Sequence, residues 1–300
     1  MKLTKMSGAG NTFVMINALS DSEWMQSSWL QKTSRSIWAE VLCHPIWGLS
    51  ADGCVFFTHK NSPNSFVWDF YNADGSSAEM CGNATRCAGQ YVQKKLGSSD
   101  LSEFEFITQS GSVITEIQNA SSVKVLMPKA KSIEREKILK VGGDSYKGYF
   151  VNTGVPHFVL QIQPSDDPNQ WKSFLPQLRH HPDLKPRGTN VTLYSVQKSD
   201  YISAVSYERG VEDFTLACGT GAVAAAIAHS EKNLQKNSTT HVRMPGGVLQ
   251  IDLEKDLEKI YMSGPADVVA EVDYNLDFVR TNEVVIEKFK INLDGTDHSV

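Results

Sequence analysis

The chain has no apolar run long enough to cross a bilayer. Its longest, Gly221 to His229, falls far short of the roughly 20 residues a spanning helix needs. Cysteine is scarce, at five residues: Cys43, Cys54, Cys81, Cys87 and Cys218. An odd count in a chain of 300 residues argues against a disulfide framework and points to reduced thiols and a cytoplasmic location. Cys81 and Cys87 lack the close spacing of a zinc pair, and no second close pair exists, so no metal is expected. Basic stripes with interleaved aromatics are missing, and the formal net charge is −5, which argues against nucleic acid as a partner. Gly8-Ala9-Gly10 is no dinucleotide fingerprint, because Phe13 stands where the third glycine belongs, and no P-loop is present. The first residues, Met1 to Gly8, carry charge but no apolar core of a signal peptide, so no secretion signal and no membrane partner are expected.

What is present is ordinary for a globular protein: 41% hydrophobic and 21% charged residues, enough to bury a core as one large domain or two moderate ones. Alternating patterns predict strands at Lys2 to Met6, Thr12 to Asn17, Cys54 to Thr58 and Phe66 to Tyr71, then at Phe104 to Thr108, Ser112 to Ile117 and Val123 to Met127. Ser20 to Leu42 reads as one helix with Asp21 or Ser22 as its cap. A Lys/Glu-rich crossover is expected over Met127 to Ile138. A second series of strands follows at Gly148 to Asn152, Phe158 to Ile162, Val191 to Val196, Tyr201 to Tyr207, Thr240 to Met244, Val248 to Leu253 and Lys259 to Met262. The three strands from Phe104 to Met127 read as consecutive and antiparallel. Each half therefore reads as strands, one helix, then strands, an approximate duplication. Beyond Tyr274 no motif stands out, and the segment reads as a strand-like or frayed appendage.

The helices of the two halves begin alike. Met80-Cys81-Gly82-Asn83 opens a helix to Lys95, and Ala217-Cys218-Gly219-Thr220 opens one to Lys232. A cysteine just before a helix sits where unpaired N–H groups and the positive end of the dipole favour an anion, and a thiol there is made reactive. Two small core cysteines or a disulfide are the competing readings. Paired thiols can take a proton from one face of a carbon and return one to the other, and two helix starts can hold the carboxylate beside that carbon. Nothing in this chemistry requires a cofactor. His180-His181, followed by Pro182 and Pro186, reads as an exposed loop rather than a metal site.

Six motifs follow in order: Lys5-Met6-Ser7-Gly8-Ala9-Gly10-Asn11-Thr12-Phe13; Asn72-Ala73-Asp74-Gly75-Ser76-Ser77-Ala78-Glu79-Met80-Cys81-Gly82-Asn83; Gly154-Val155-Pro156-His157; Gly188-Thr189-Asn190-Val191; Tyr207-Glu208-Arg209-Gly210-Val211-Glu212; and Ala217-Cys218-Gly219-Thr220-Gly221. Together they resemble the diaminopimelate epimerase family over about Met1 to Asp273. The resemblance implies interconversion of LL- and meso-diaminopimelate without cofactor or metal, for lysine and peptidoglycan synthesis. It implies an α+β fold of two pseudo-symmetric domains, each a mostly antiparallel β-sheet or barrel around a central α-helix, with the active site in the interdomain cleft. The halves are expected at 1–127 and 128–262, a segment at 263–274 returning to the first, and an extension at 275–300.

By the same resemblance Cys81 and Cys218 are the acid–base pair, and His157 and Glu208 tune the thiols. Asn11, Asn72 and Asn190 bind the distal amino-acid centre. Gly82 with Asn83, and Gly219 with Thr220, cradle the reacting carboxylate, and Glu208 with Arg209 handles the substrate's ionic groups. The expected partners are a small-molecule amino-acid substrate and a second copy of the chain in a homodimer. Three positions depart from the family pattern: Thr12 where Asp is frequent, Gly53 after Gly48-Leu49-Ser50-Ala51-Asp52 where Gln is common, and Val155 where Asn is expected. Taken as bare residues, Asn11, Asn72 and Asn190 are also turn formers, Glu208-Arg209 a surface ion pair, and His157 a strand-end histidine. Other readings stay open: a histidine or proline racemase-like enzyme, a binding protein of the same fold without chemistry, and a cysteine hydrolase using His157.

Overall fold

The computed structural model describes residues 1–234, 238–254 and 257–293. In chain order the elements are β1 (Lys2–Gly8), β2 (Asn11–Asn17), α1 (Glu23–Gln26), α2 (Arg35–Cys43), β3 (Gly53–Ser62), β4 (Ser65–Asn72), α3 (Gly82–Lys95), β5 (Glu103–Thr108), β6 (Gly111–Ile117) and β7 (Ser122–Met127). Then come β8 (Ser132–Val141), β9 (Asp144–Asn152), β10 (Pro156–Gln161), α4 (Leu175–Arg179), β11 (Asn190–Lys198), β12 (Tyr201–Tyr207) and α5 (Gly219–Lys232). The chain ends with β13 (Ser238–Met244), β14 (Gly247–Glu254), β15 (Lys259–Pro265), β16 (Asp267–Asp273), α6 (Leu276–Thr281) and α7 (Glu283–Phe289). Two compact units result: Met1–Val123 with the chain from Ala266 onward, and Lys124–Pro265. Among the described residues no helix is long and apolar enough to cross a membrane.

From the first unit the strands run β16-β1-β2-β3-β4-β5-β6 and on to β7, which enters the second unit after Val123. β1–β2, β3–β4 and β5–β6 are antiparallel, whereas β2–β3 and β4–β5 are parallel. The second unit runs β15-β14-β13-β12-β11-β10-β9-β8. There β9–β10, β11–β12 and β13–β14 are antiparallel, and β10–β11 and β12–β13 parallel. The plan is therefore repeated strand for strand, with an edge strand, β16 or β8, paired to the first hairpin of each unit. The antiparallel β5–β6 pair is as read from the sequence, and four parallel pairs stand among the more numerous antiparallel ones. Each parallel pair joins strands separated by a helical connection, and a crossover of that length returns the chain in the same direction.

α3 and α5 are the central helices. Every residue of α3 from Gly82 to Val92 is buried, as is every residue of α5 from Gly221 to Ser230. Helices wrapped on all sides need small or apolar residues all round. α5 meets this with Ala222, Ala224, Ala225, Ala226 and Ala228. α3 is enclosed by Phe57, Phe66, Phe104 and Phe106 of the surrounding strands, each fully buried and worth about 2 kcal/mol of apolar transfer. On the other side of β2 and β3 a second cluster packs Trp24, Trp38 and Leu42 of α1 and α2 against Val279, Val285 and Phe289 of α6 and α7.

Three readings are corrected. Ser20 to Leu42 is not one helix, because it holds two serine caps. Ser22 accepts from Met25 N and Ser34 from Ile37 N, and the chain is extended at both. The supposed crossover contains β8, an edge strand whose charged face meets solvent and whose pairing with β9 is interrupted between Glu134 and Lys137. From Asn275 to Phe289 the chain is neither strand nor frayed: Asn275 and Asn282 cap α6 and α7, and Val279, Val285 and Phe289 enter the core. The last part of the expected extension, 294–300, lies outside the described residues.

Candidate active site

Cys81 is the N-cap residue of α3, extended at φ −140° and ψ 120°, and Cys218 holds the same place on α5 at φ −121° and ψ 101°. In each the cysteine carbonyl accepts the first helical bond, from Thr85 N and from Ala222 N, both at 2.9 Å. The Cys218 sulfur faces the Gly221 amide of the first turn of α5. The bridges Tyr71–Ser77 and Tyr207–Phe214 lead into the two helices in the same way. The shared register equates Cys54–Tyr71 with Val191–Tyr207, so that Asn72 and Glu208 follow equivalent residues.

In the first unit, Asn11 lies at the β1–β2 turn and Asn72 at the end of β4. Asn72 Nδ2 donates to Ser76 Oγ at 2.9 Å. Thr12 donates through N and Oγ1 to Asp52 Oδ2, at 2.7 and 2.9 Å, and Ala73 N donates to Asp52 O. Asp52 thereby joins the two loops that carry Asn11 and Asn72, and Thr12 is its partner. Gly53 has no room for the glutamine of the family pattern in this backbone, since a Cβ would lie 2.8 Å from both Tyr71 O and Phe70 Cε2. Gly8, at the end of β1, lets the hairpin meet the start of α3, where a Cβ would lie 2.8 Å from Asn83 O. Arg86, fully buried, donates from Nη2 to Asn83 Oδ1 at 2.9 Å and fixes the first turn. Cys87 is sealed in the same core and burial pushes its thiol up to about 12, which leaves it inert.

In the second unit His157, Asn190, Glu208, Arg209, Cys218, Gly219 and Thr220 gather at one end of the sheet. His157 pairs with Asn190 across β10 and β11. Asn190 Oδ1 accepts from Arg209 N at 3.0 Å, so what Asn190 offers a ligand is its NH₂. Glu208 accepts a hydrogen bond from the Thr215 hydroxyl. Thr153 Oγ1 donates to Thr220 O at 3.1 Å, tying the loop that carries Val155 to the first turn of α5. His157 lies between two hydroxyls, Nδ1 at 2.9 Å from Thr192 Oγ1 and Nε2 at 3.0 Å from Thr220 Oγ1. Thr220 Oγ1 is in turn 3.5 Å from Cys218 Sγ. His181 is occupied elsewhere, its Nε2 on Lys140 O and its Nδ1 accepting from Asp183 N.

Burial, and then the Glu208 charge, push the Cys218 thiol well above its ordinary range, against the Thr220 hydroxyl and the Gly221 amide. Burial raises Glu208 also, against its bonds from Thr215 and Cys218. Burial, reinforced by Arg209, lowers His157 to about 3, so its imidazole is neutral at pH 7. A histidine with a depressed pKa binds fewer protons folded than unfolded, and stability is lost as pH falls from 6.5 toward 3. The full effect is about 5 kcal/mol at most. Urea titrations across that range are expected to show the loss in the parent and a flatter slope in His157→Asn. An equal slope in both places the acid sensitivity elsewhere.

Thr192, Ser206, Thr153, Thr215 and the Thr12–Asp52 pair are absent from the residues expected from sequence. The signal for two of them was there. Thr192 stands two residues after Asn190 and Ser206 two before Glu208, and alternation along a strand puts such residues on one face.

The chain matches the family model described as diaminopimelate epimerase over residues 3–133 and 149–269. It is 38% identical over 277 residues to a diaminopimelate epimerase of Aquifex aeolicus, covering 90% of this chain and 96% of that one. To a diaminopimelate epimerase of Methanocella arvoryzae it is 34% identical over 292 residues, covering 93% and 98%. Among solved structures it shares a fold with a Bacillus anthracis phenazine biosynthesis protein of the PhzF family, at TM-score 0.63 and 11% identity over 91% of this chain and 98% of that one. A hydroxyproline epimerase of Agrobacterium vitis superposes with TM-score 0.62 at 11% identity, over 91% and 90% of the two chains.

Proposed function

Because the chain belongs to the diaminopimelate epimerase family, we propose that it interconverts LL- and meso-diaminopimelate with Cys81 and Cys218 as the acid–base pair and no cofactor. The observation that carries this reading is the repeated cap: a cysteine at the start of each central helix, at equivalent points of two units with one strand plan. One thiolate takes the α-hydrogen. The C–H bond breaks, an S–H bond forms, and the electron pair passes into the adjacent carboxylate. The other thiol gives its proton to the opposite face, and the roles exchange in the reverse direction. The first-turn amides at Gly82 and Asn83, and at Gly219 and Thr220, hold the carboxylate as its charge grows. Each such donor in a dry site is worth about 3–4 kcal/mol. Neutral His157 and raised Glu208 tune the thiol environment, Arg209 meets an ionic group of the substrate, and Asn11, Asn72 and the NH₂ of Asn190 hold its distal centre.

Gly53 and Val155 favour a second reading, a racemase of single amino acids such as histidine or proline, because both leave a polar contact of the distal end unfilled. One experiment separates them. In heavy water the protein is expected to exchange the α-hydrogen of LL-diaminopimelate and to leave L-histidine and L-proline untouched. Exchange of a single amino acid alone overturns the diaminopimelate assignment, and binding without exchange overturns catalysis. The reading extends to a cytoplasmic homodimer; the location is supported by the five cysteines, none of which is in a disulfide.

A further inference from the structure

A row of polar side chains runs from the sheet of the second unit to the candidate acid–base sulfur. Ser206 Oγ lies 2.9 Å from Thr192 Oγ1, and Thr192 Oγ1 lies 2.9 Å from His157 Nδ1. His157 Nε2 lies 3.0 Å from Thr220 Oγ1, which lies 3.5 Å from Cys218 Sγ. Ser206, Thr192 and His157 are all fully buried, so no bulk water competes for the bonds among them, and Thr220 is half-buried. Thr192 and Ser206 face each other in the β11–β12 register, and Gly221 of α5 lies so close that even a Cβ there would be 3.2 Å from His157 Cε1.

A neutral imidazole has one donor and one acceptor, so the row has two possible polarities. In one, Nδ1 donates to Thr192 and the Thr220 proton turns back to Nε2, away from the sulfur. In the other, Ser206 donates to Thr192, Thr192 donates to Nδ1, Nε2–H donates to Thr220, and the Thr220 proton is left for the sulfur. Only the second directs every proton toward the one atom in the row that takes on full negative charge. It also suits the resting thiol, whose S–H has the Glu208 carboxylate as acceptor while the sulfur receives the Thr220 hydroxyl and the Gly221 amide.

We propose that Thr192 and Ser206 are positioning residues that lock His157 as the Nε2–H tautomer, so that the Thr220 hydroxyl is held as a donor to the sulfur of Cys218. This deepens the two-thiol reading and rests on it for its catalytic meaning. When Cys218 gives its proton to the substrate carbon, the S–H bond breaks and the electron pair stays on sulfur. The aligned Thr220 proton meets that charge without reorganisation. Glu208 faces the same sulfur and opposes the charge, and burial, with Arg209 adding to it, keeps His157 neutral. The row therefore offsets, on the donor side, what burial and Glu208 impose.

The test needs no substrate for its primary readouts. In protein labelled with ¹⁵N-histidine, with His157 assigned by its loss in His157→Asn, the ring is expected to show the Nε2–H tautomer, and a population of Nε2–H below half in Thr192→Val. In the Cys81→Ala background, the pH midpoint for alkylation of Cys218 by iodoacetamide, followed by peptide mass, is expected to rise by at least one unit in Thr220→Val and Thr192→Val. Thr220→Ser and Thr192→Ser, which keep the hydroxyl, are expected to hold the parent midpoint. In the Cys81-containing enzyme Thr192→Val should lower kcat about tenfold with KM within twofold. An Nδ1–H tautomer in the parent, or a folded Thr192→Val with the parent midpoint, overturns the proposal. Absence of α-deuterium exchange by the parent enzyme instead overturns the two-thiol reading, leaving the tautomer and alkylation results to stand as properties of the protein.

Discussion

Serine at Cys81 or at Cys218 is expected to lower epimerisation of diaminopimelate by 10⁴-fold or more, about the upper range for removing one general acid–base group. The hydroxyl is a far weaker acid than the thiol and fills the same place on the helix start, so the fold is expected to persist. The two variants should differ in a way that total loss of activity would not show. Each keeps one thiol, and that thiol reaches one face of the α-carbon. In heavy water Cys81→Ser is expected to exchange the α-hydrogen of one epimer with retention, and Cys218→Ser that of the other. The measurement is proton NMR of LL- and meso-diaminopimelate incubated with each variant. Exchange of both epimers by one variant, or normal turnover by either, removes the one-thiol-per-face assignment.

Why the cysteine sites could be read from the chain and their surroundings could not is a matter of range. A cysteine followed by glycine and a helical pattern is a local signal, and both central helices begin within two residues of where that pattern starts. Most strands of both units, though not β8 or β16, were legible for the same reason, because alternation is local. Pairing direction was not. The parallel β2–β3 and β10–β11 pairs depend on what the intervening segments do, and short helices such as α1 and α4 leave weak periodic signals. β8 was hidden because an edge strand tolerates the charges of Glu134, Arg135, Glu136 and Lys137, which read as a linker. α6 and α7 were hidden because each spans only one or two turns. The hydroxyls around His157 were the least legible. A threonine in Val191-Thr192-Leu193 reads as strand propensity, and only the fold turns it toward a histidine that lies 35 residues away.

A single methyl group added at Gly221 tests how tightly this arrangement is drawn. Gly221 lies in the first turn of α5, where alanine ordinarily favours a helix by about 0.5–1 kcal/mol. Here the new Cβ would lie 2.2 Å from Ser206 Oγ and 3.2 Å from both Cys218 Sγ and His157 Cε1. Ser206 is fully buried and bonded to Thr192, so its hydroxyl cannot swing into solvent to make room. Overpacking of this kind costs about 1–3 kcal/mol. Gly221→Ala is therefore expected to be the less stable protein by urea denaturation, despite its better helix propensity, and to lose about 100-fold in kcat as Cys218 and His157 are displaced. Removing the clashing atom should separate the two effects. The double variant Gly221→Ala/Ser206→Ala is expected to regain most of the stability but to recover kcat only to within about tenfold of the parent, because the row that ends at Cys218 has lost its first hydroxyl. A Gly221→Ala protein more stable than the parent with unchanged turnover would show that α5 does not hold the thiol, the imidazole and Ser206 against one another.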